Sequence, residues 1–119
     1  MVSRGLGDVY KRQSYQRYSK SVDFIQKYVF PGGMLPSQEK LNENYVDAGL
    51  VEVNSHSFGK SYAKTLTIWH KEFLNSLSAI KKLGFDIKLE RIFKYYFSYC
   101  KAGFNSERID VAQKIIKLN

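Results

Sequence analysis

Few residues in this sequence stand where type and spacing could do chemistry. Cys100 is the one cysteine, and His56 and His70 are the two histidines, fourteen residues apart on different elements. A zinc site of the usual kind needs four clustered thiolate or imidazole ligands, which these three cannot supply. A nucleophilic Cys100 would need a nearby base, and the sequence shows none. Flanked by Tyr96 and Phe104 at i−4 and i+4, it reads as a small buried hydrophobe. Each histidine reads as a surface or strand-end residue. No G-x-G-x-x-G, P-loop, H-E-x-x-H or G-x-S-x-G run is present, so the common phosphate, metal and acyl-transfer motifs are missing. Basic residues are scattered, with pairs at Lys11-Arg12 and Lys81-Lys82, and no helix carries the one-sided stripe of a DNA reader. Arg91 to Lys101 interleaves aromatic with basic residues, but its aromatics share a core-facing stripe and read as packing rather than base stacking.

The elements that must position these residues follow from periodicity. Tyr15, Tyr18, Val22, Ile25, Tyr28 and Val29 recur every three or four residues, which predicts an amphipathic helix from Ser14 to Phe30. Pro31-Gly32-Gly33 stops it, since proline cannot continue the ladder and glycine permits positive φ. Ser37 predicts an N-cap for a helix to about Ala48, closing on Gly49. Leu50-Val51-Glu52-Val53 alternates and predicts a strand ending near Phe58. Tyr62, Leu66, Trp69, Phe73, Leu77 and Ile80 lie on one helical stripe, the strongest periodic signal in the chain, and predict one long helix ended by Gly84. Asp86 caps a further helix carrying Leu89, Ile92, Phe93, Tyr96, Cys100 and Phe104 on one side. Ile109 to Leu118 reads as a final strand. Residues 1–13 fall in no periodic segment and read as a tail; Asp8 to Gln13 resembles the translated end of a transposon adaptor from DNA-library preparation, with a basic arm as the alternative.

At 119 residues and 44% hydrophobic, with 15% aromatic, the chain can build one small core but not two domains. A formal net charge of +8, or +6 over residues 14–119, points to an anionic partner. A lone cysteine excludes a disulfide framework and fits a reducing, cytoplasmic setting. No apolar run approaches the ~20 residues that cross a bilayer. Two strands separated by helices make a poor sheet alone, so the order of elements suits the closing part of an α/β domain.

The strings DFIQKYVFPGGMLPS (Asp23 to Ser37), SFGKSYAKTLTIW (Ser57 to Trp69), YYFSYCKAGF (Tyr95 to Phe104) and RIDVAQ (Arg108 to Gln113) occur in this order. Together they resemble the C-terminal part of the cyclopropane-fatty-acyl-phospholipid synthases, a group similar to the mycolic acid cyclopropane synthases. The resemblance covers nearly all of Ser14 to Asn119. It implies an α/β fold, the C-terminal part of a Rossmann-like S-adenosylmethionine-dependent methyltransferase domain, with helices and a terminal antiparallel strand pair. It also implies methyl transfer to a cis double bond of a phospholipid acyl chain, followed by proton loss that closes a three-membered ring.

By the same resemblance Tyr62, in the F-G-x-x-Y segment, helps hold a bicarbonate that accepts the proton. The acyl channel would be lined by Phe30, Gly33 and Leu35 from the F-P-G-G-x-L-P loop, by Tyr96, Cys100 and Phe104 from the Y-x-x-x-C-x-x-x-F helix, and by Leu66. Helical spacing agrees, since 62 and 66 share a face, as do 96, 100 and 104, but core packing demands the same residue types. No cofactor-binding or metal residue is assigned in this chain. The implied partners are unsaturated phospholipid acyl chains and an anionic membrane surface at the inner, cytoplasmic face, with no nucleic acid; the full-length enzyme could be a homodimer. Ser61 stands where the family often has a histidine or acidic residue, and Asn105-Ser106-Glu107 replaces a more basic stretch. The glycine-rich cofactor loop does not occur in the sequence, so the expectation is a fragment inactive alone. Two other readings stay open: a related lipid methyltransferase that leaves the ring unclosed, and a basic helical module that binds membranes or nucleic acid.

Overall fold

A computed structural model describes residues 2–10, 20 and 23–119. A capping box opens the first helical turn: Asp23 N–H donates to Gln26 Oε1 (3.0 Å) and Gln26 N–H to Asp23 Oδ1 (2.9 Å). The turn that follows, Ile25–Val29, is π-helical, closed by Phe30 N–H donating to the Ile25 carbonyl at 2.7 Å. Of the helix expected from Ser14, the stretches 14–19 and 21–22 lie outside the described residues.

Helix α1 (Gln38–Asp47) begins where Ser37, 2% exposed, accepts from the Lys40 N–H, and it ends before Gly49 at φ +70. Strand β2 (Leu50–Ser57) follows, and the last strand, β3 (Ile109–Leu118), pairs with it antiparallel, as expected. Register slips between Glu52 and Asn54, where the strand bulges. A third strand, β1 (Val2–Tyr10), lies antiparallel on the other side of β3, giving the order β1-β3-β2. Of residues 1–13, expected to be a tail, 2–10 form this strand, and residues 1 and 11–13 lie outside the described residues. Hydrogen-bonding groups on the open side of β3 draw that segment into the sheet without any alternation in its sequence.

Between β2 and β3 the chain makes a helical hairpin. Helix α2 (Gly59–Asn75) and helix α4 (Ile87–Asn105) pack against each other, and the short α3 (Leu77–Lys82) joins them. The long helix expected from Tyr62 to Ile80 is therefore two. Ser76 takes φ −99 and ψ 3, and its N–H is shared by the Glu72 and Phe73 carbonyls, closing α2. Asn75 and Ser76 favour turns over helix interiors, while Leu77 and Ile80 stay half-buried, so the stripe continues across a break that it cannot reveal. Asp86 caps α4 as expected, accepting from Lys88 and Leu89 N–H.

The core forms where the hairpin meets β3: Ala63, Leu66, Phe97, Phe104 and Val111 are buried, with Phe58, Tyr62, Phe73, Phe93, Tyr96, Cys100 and Ile109 packed around them. On another side Lys114 is buried, and its Nζ donates to Gln38 Oε1 (2.6 Å), Glu52 Oε1 (2.7 Å) and Ser55 Oγ (3.2 Å). All three ammonium protons are used, tying β3 to α1 and β2. Lys114→Met is expected to lower the unfolding free energy by about 2 kcal/mol, because it strands a half-buried Glu52 carboxylate; urea unfolding followed by circular dichroism measures it.

Candidate acyl-pocket wall around Tyr62

The first turn of α2 is fixed from a distance. Phe58 N–H donates to the Val111 carbonyl at 2.9 Å, and Gly59 N–H donates to Asp110 Oδ1 at 2.8 Å. The same Oδ1 accepts from Val111 N–H at 2.8 Å. A side chain at Gly59 would run into Asp110, so only glycine lets helix and strand approach this closely. Lys60 Nζ and Glu107 Oε1 lie 3.2 Å apart across the same junction. A cleft of about 440 Å³ opens there, lined by His56, Phe58, Gly59, Lys60, Phe104 and Asp110 among others.

One turn into α2, Tyr62 is half-buried at the rim of the core. Its ring meets Phe104 edge-on at 5.1 Å between centroids and Trp69 edge-on at 5.9 Å. Leu66 lies on the same face one turn on, 1% exposed, and Phe104 is 2% exposed. The structure therefore brings Tyr62 and Phe104 together, with Leu66 packed in the core beside them. A second group forms at the other flank of α4. Phe30 is exposed and its ring stands edge-on to Tyr96 at 6.3 Å. Gly33 N–H donates to the Phe30 carbonyl (2.9 Å) and the Gly33 carbonyl accepts from Gln26 Nε2 (2.9 Å), which folds the loop back on its own helical turn. Leu35 is half-buried beyond it. Cys100, half-buried, lies between Tyr96 and Phe104 on α4 and so joins the two groups along one helix face.

Histidines take no part in a cluster: His56 is exposed and stacks on Phe58, while His70 stacks on Phe97 at 5.5 Å. Among the described residues no three His, Cys, Asp or Glu side chains are grouped to hold a metal ion. Phe97, which the stripe reading of α4 omits, is buried and meets both Phe73 and Phe93. Its spacing of four from Phe93 carries that signal. The Gly59–Asp110 contact has no sequence signal beyond a glycine opening a helix.

Outside this wall, Phe24 packs edge-on against Tyr95 at 4.5 Å, and Tyr99 stacks on Tyr95. The Tyr99 hydroxyl donates to Asp23 Oδ2 at 3.4 Å. Partial burial, then the adjacent Asp23 charge, push the Tyr99 phenol above its ordinary value. The folded chain holds this proton more tightly than the unfolded one, so the associated stability is full below about pH 10 and fades as pH rises through the folded value. Asp23→Asn is expected to bring the Tyr99 transition down toward the ordinary tyrosine range, read by near-ultraviolet difference absorbance with Tyr99→Phe as the assignment.

The mycolic acid cyclopropane synthetase family matches residues 2–114. This chain belongs to that family. The family comprises S-adenosylmethionine-dependent enzymes that transfer methyl groups to lipids. Over 91 residues the chain is 38% identical to tuberculostearic acid methyltransferase UfaA1 of Mycobacterium tuberculosis, a match covering 76% of this chain and 21% of that protein. It is 30% identical over 92 residues to the cyclopropane-fatty-acyl-phospholipid synthase of Escherichia coli, covering 77% of this chain and 24% of the relative. The solved cyclopropane synthase MmaA2 from Mycobacterium tuberculosis shares the fold, with a TM-score of 0.83 at 22% identity over 97% of this chain and 43% of that one. Mycolic acid cyclopropane synthase CmaA1, complexed with SAH and CTAB, gives 0.82 at 23% identity over the same shares. This member of the synthetase family thus spans between 21% and 34% of the length of the curated relatives it matches. The expected α/β architecture, part of a methyltransferase fold with an antiparallel β2–β3 pair, is what the chain has.

Proposed function

We propose that this chain acts as part of a longer S-adenosylmethionine-dependent enzyme that builds cyclopropane rings on the cis double bonds of phospholipid acyl chains, its α2–α4 hairpin walling the acyl pocket. Net, one methyl carbon is added to the alkene and one proton leaves as the ring closes. The observation that carries the reading is the placement of Tyr62: a hydroxyl on a half-buried ring, held between the apolar edges of Phe104 and Trp69. A charge-stabilising group in such surroundings acts through a low local dielectric, where one well-aimed hydroxyl counts for more than in water.

Bicarbonate, when bound, supplies a proton acceptor. Tyr62, half-buried at the rim of the core, is the residue of this chain that would hold it. Phe30, Leu35, Tyr96 and Cys100 keep partial exposure, as residues facing a greasy substrate must, whereas Leu66 and Phe104 support them from the core. Gly33 keeps the loop tight enough to present Phe30 beside Tyr96. The sequence contains no glycine-rich loop, so no residue here is assigned to the sulfonium cofactor. Among the described residues no helix is long and apolar enough to cross a membrane, and the basic balance suits peripheral contact with anionic headgroups.

The 38% identity to a tuberculostearic acid methyltransferase favours a second reading, in which the acyl cation left by methyl transfer loses a proton from a neighbouring carbon without closing the ring, leaving a methyl-branched unsaturated chain. Product analysis separates the two. The whole protein carrying this segment, expressed in a bacterium deleted for its own cyclopropane synthase, is expected to yield cyclopropane fatty esters by gas chromatography and mass spectrometry. Methyl-branched esters would establish the second reading, and unmodified unsaturated lipid would overturn both.

A further inference from the structure

Between α3 and α4 the chain turns at Leu83-Gly84-Phe85-Asp86-Ile87. Leu83, Phe85 and Ile87 are 77%, 51% and 59% exposed, three large apolar side chains within five residues. Gly84 makes the turn possible at φ +97, with its N–H donating to the Lys81 carbonyl at 3.0 Å. Three exposed lysines flank it: Lys81 and Lys82 before, Lys88 after. From Lys81 to Lys94 five cationic residues stand against two acidic ones. Both acids are engaged: Asp86 caps α4, and Glu90 lies 2.9 Å from Lys94 and 3.7 Å from Lys81.

The turn is also remote from the sheet. The first turn of α2 and the last of α4 are the ends fastened to β3, through Gly59–Asp110 and through Gly103, which lies against the Ile109 side chain. A 19-residue helix rises roughly 28 Å, so the opposite end of α4 carries the apolar turn about that far from the strands. A water-exposed tip of this kind costs free energy unless something apolar meets it, and the surrounding lysines select what that is. Apolar side chains within a ring of cations match the boundary of an anionic bilayer, with acyl chains beneath phosphates.

We infer that the Lys81–Lys88 turn docks on the surface of a bilayer containing anionic phospholipid, with Leu83, Phe85 and Ile87 entering the headgroup boundary and Lys81, Lys82 and Lys88 facing the phosphates. The choice of lipid as partner rests on the proposed function, which this surface would serve by bringing the protein to the membrane that holds its substrate.

The test is cosedimentation of the full chain with vesicles of phosphatidylglycerol and phosphatidylcholine against phosphatidylcholine alone. Binding is expected to the anionic vesicles and to weaken as salt rises. Leu83→Ser with Phe85→Ser is expected to reduce partitioning about tenfold or more, and Lys81→Gln with Lys82→Gln about tenfold. All four side chains are exposed, so circular dichroism should report unchanged helix content. Equal binding by the variants, or no binding by the parent chain, would overturn the inference. So would sedimentation equilibrium showing a dimer that depends on Leu83 and Phe85 in a chain that ignores vesicles. Vesicle binding requires no turnover: a chain that docks while the whole protein leaves lipids unmodified defeats the enzymatic reading and spares this one, and the converse result does the reverse.

Discussion

Phe104→Ala is expected to lower the unfolding free energy by about 3–5 kcal/mol, the range for emptying a fully packed phenylalanine site. Phe104 is 2% exposed and sits where three elements converge: it lies on α4, its ring faces Tyr62 of α2, and Val111 of β3 shares its cluster. Little can collapse into the hole, because Gly59 and Asp110 already hold α2 against β3 at contact distance. Native domains are stable by only 5–15 kcal/mol or so, so this loss would leave much of the chain unfolded at modest temperature. Phe104→Leu, which keeps most of the volume, should cost about 1 kcal/mol. Urea denaturation followed by far-ultraviolet circular dichroism distinguishes the two. Equal midpoints for Phe104→Ala and the parent chain would mean that the hairpin does not seat on the sheet as described.

Much of the fold was legible because its signals are local. Ser37 and Asp86 cap the helices that their positions announce, and Gly49 and Gly84 take the positive φ that ends a helix. The alternation after Leu50 and the β-branched run after Ile109 mark the two strands that pair. Each of these is written within about one turn of chain. What escaped is long-range. The carboxylate of Asp110 fixes Gly59 across 51 residues of sequence, and neither residue signals the other. Val2–Tyr10, with two glycines and no alternation, becomes a strand because β3 offers it an edge, an instance of tertiary context overriding propensity.

The candidate site was legible in a different way. Helical spacing placed Tyr62 with Leu66, and Tyr96 with Cys100 and Phe104, but spacing alone cannot tell a pocket wall from a core. Burial divides these residues into two sets: Leu66 and Phe104 are sealed, while Tyr62, Tyr96 and Cys100 remain half-buried around the core. Phe97 was missed because Tyr96 beside it satisfied the stripe equally well, and only packing against His70 and Phe73 decides which ring turns inward.

On the proposed function, Tyr62→Phe in the whole protein is expected to lower the rate of lipid modification about 10²–10³-fold, the loss typical of removing one hydrogen-bond donor from a water-poor site where charge develops. The substitution keeps the ring, so its edge contacts with Phe104 and Trp69 survive and thermal unfolding should move little. A residue that merely filled space would tolerate this change and suffer from Tyr62→Ala; a residue whose hydroxyl acts would lose activity in both. The kinetic form of the loss adds a second discrimination. If the hydroxyl steadies a proton acceptor rather than the acyl chain, the defect falls on kcat with KM for lipid nearly unchanged, because ground-state binding relies on the apolar wall and not on Tyr62. Added bicarbonate should then restore part of the rate by mass action, as expected when one of several contacts to a small anion is missing. Full activity in Tyr62→Phe would remove the phenol from the chemistry and leave the hairpin a purely structural wall.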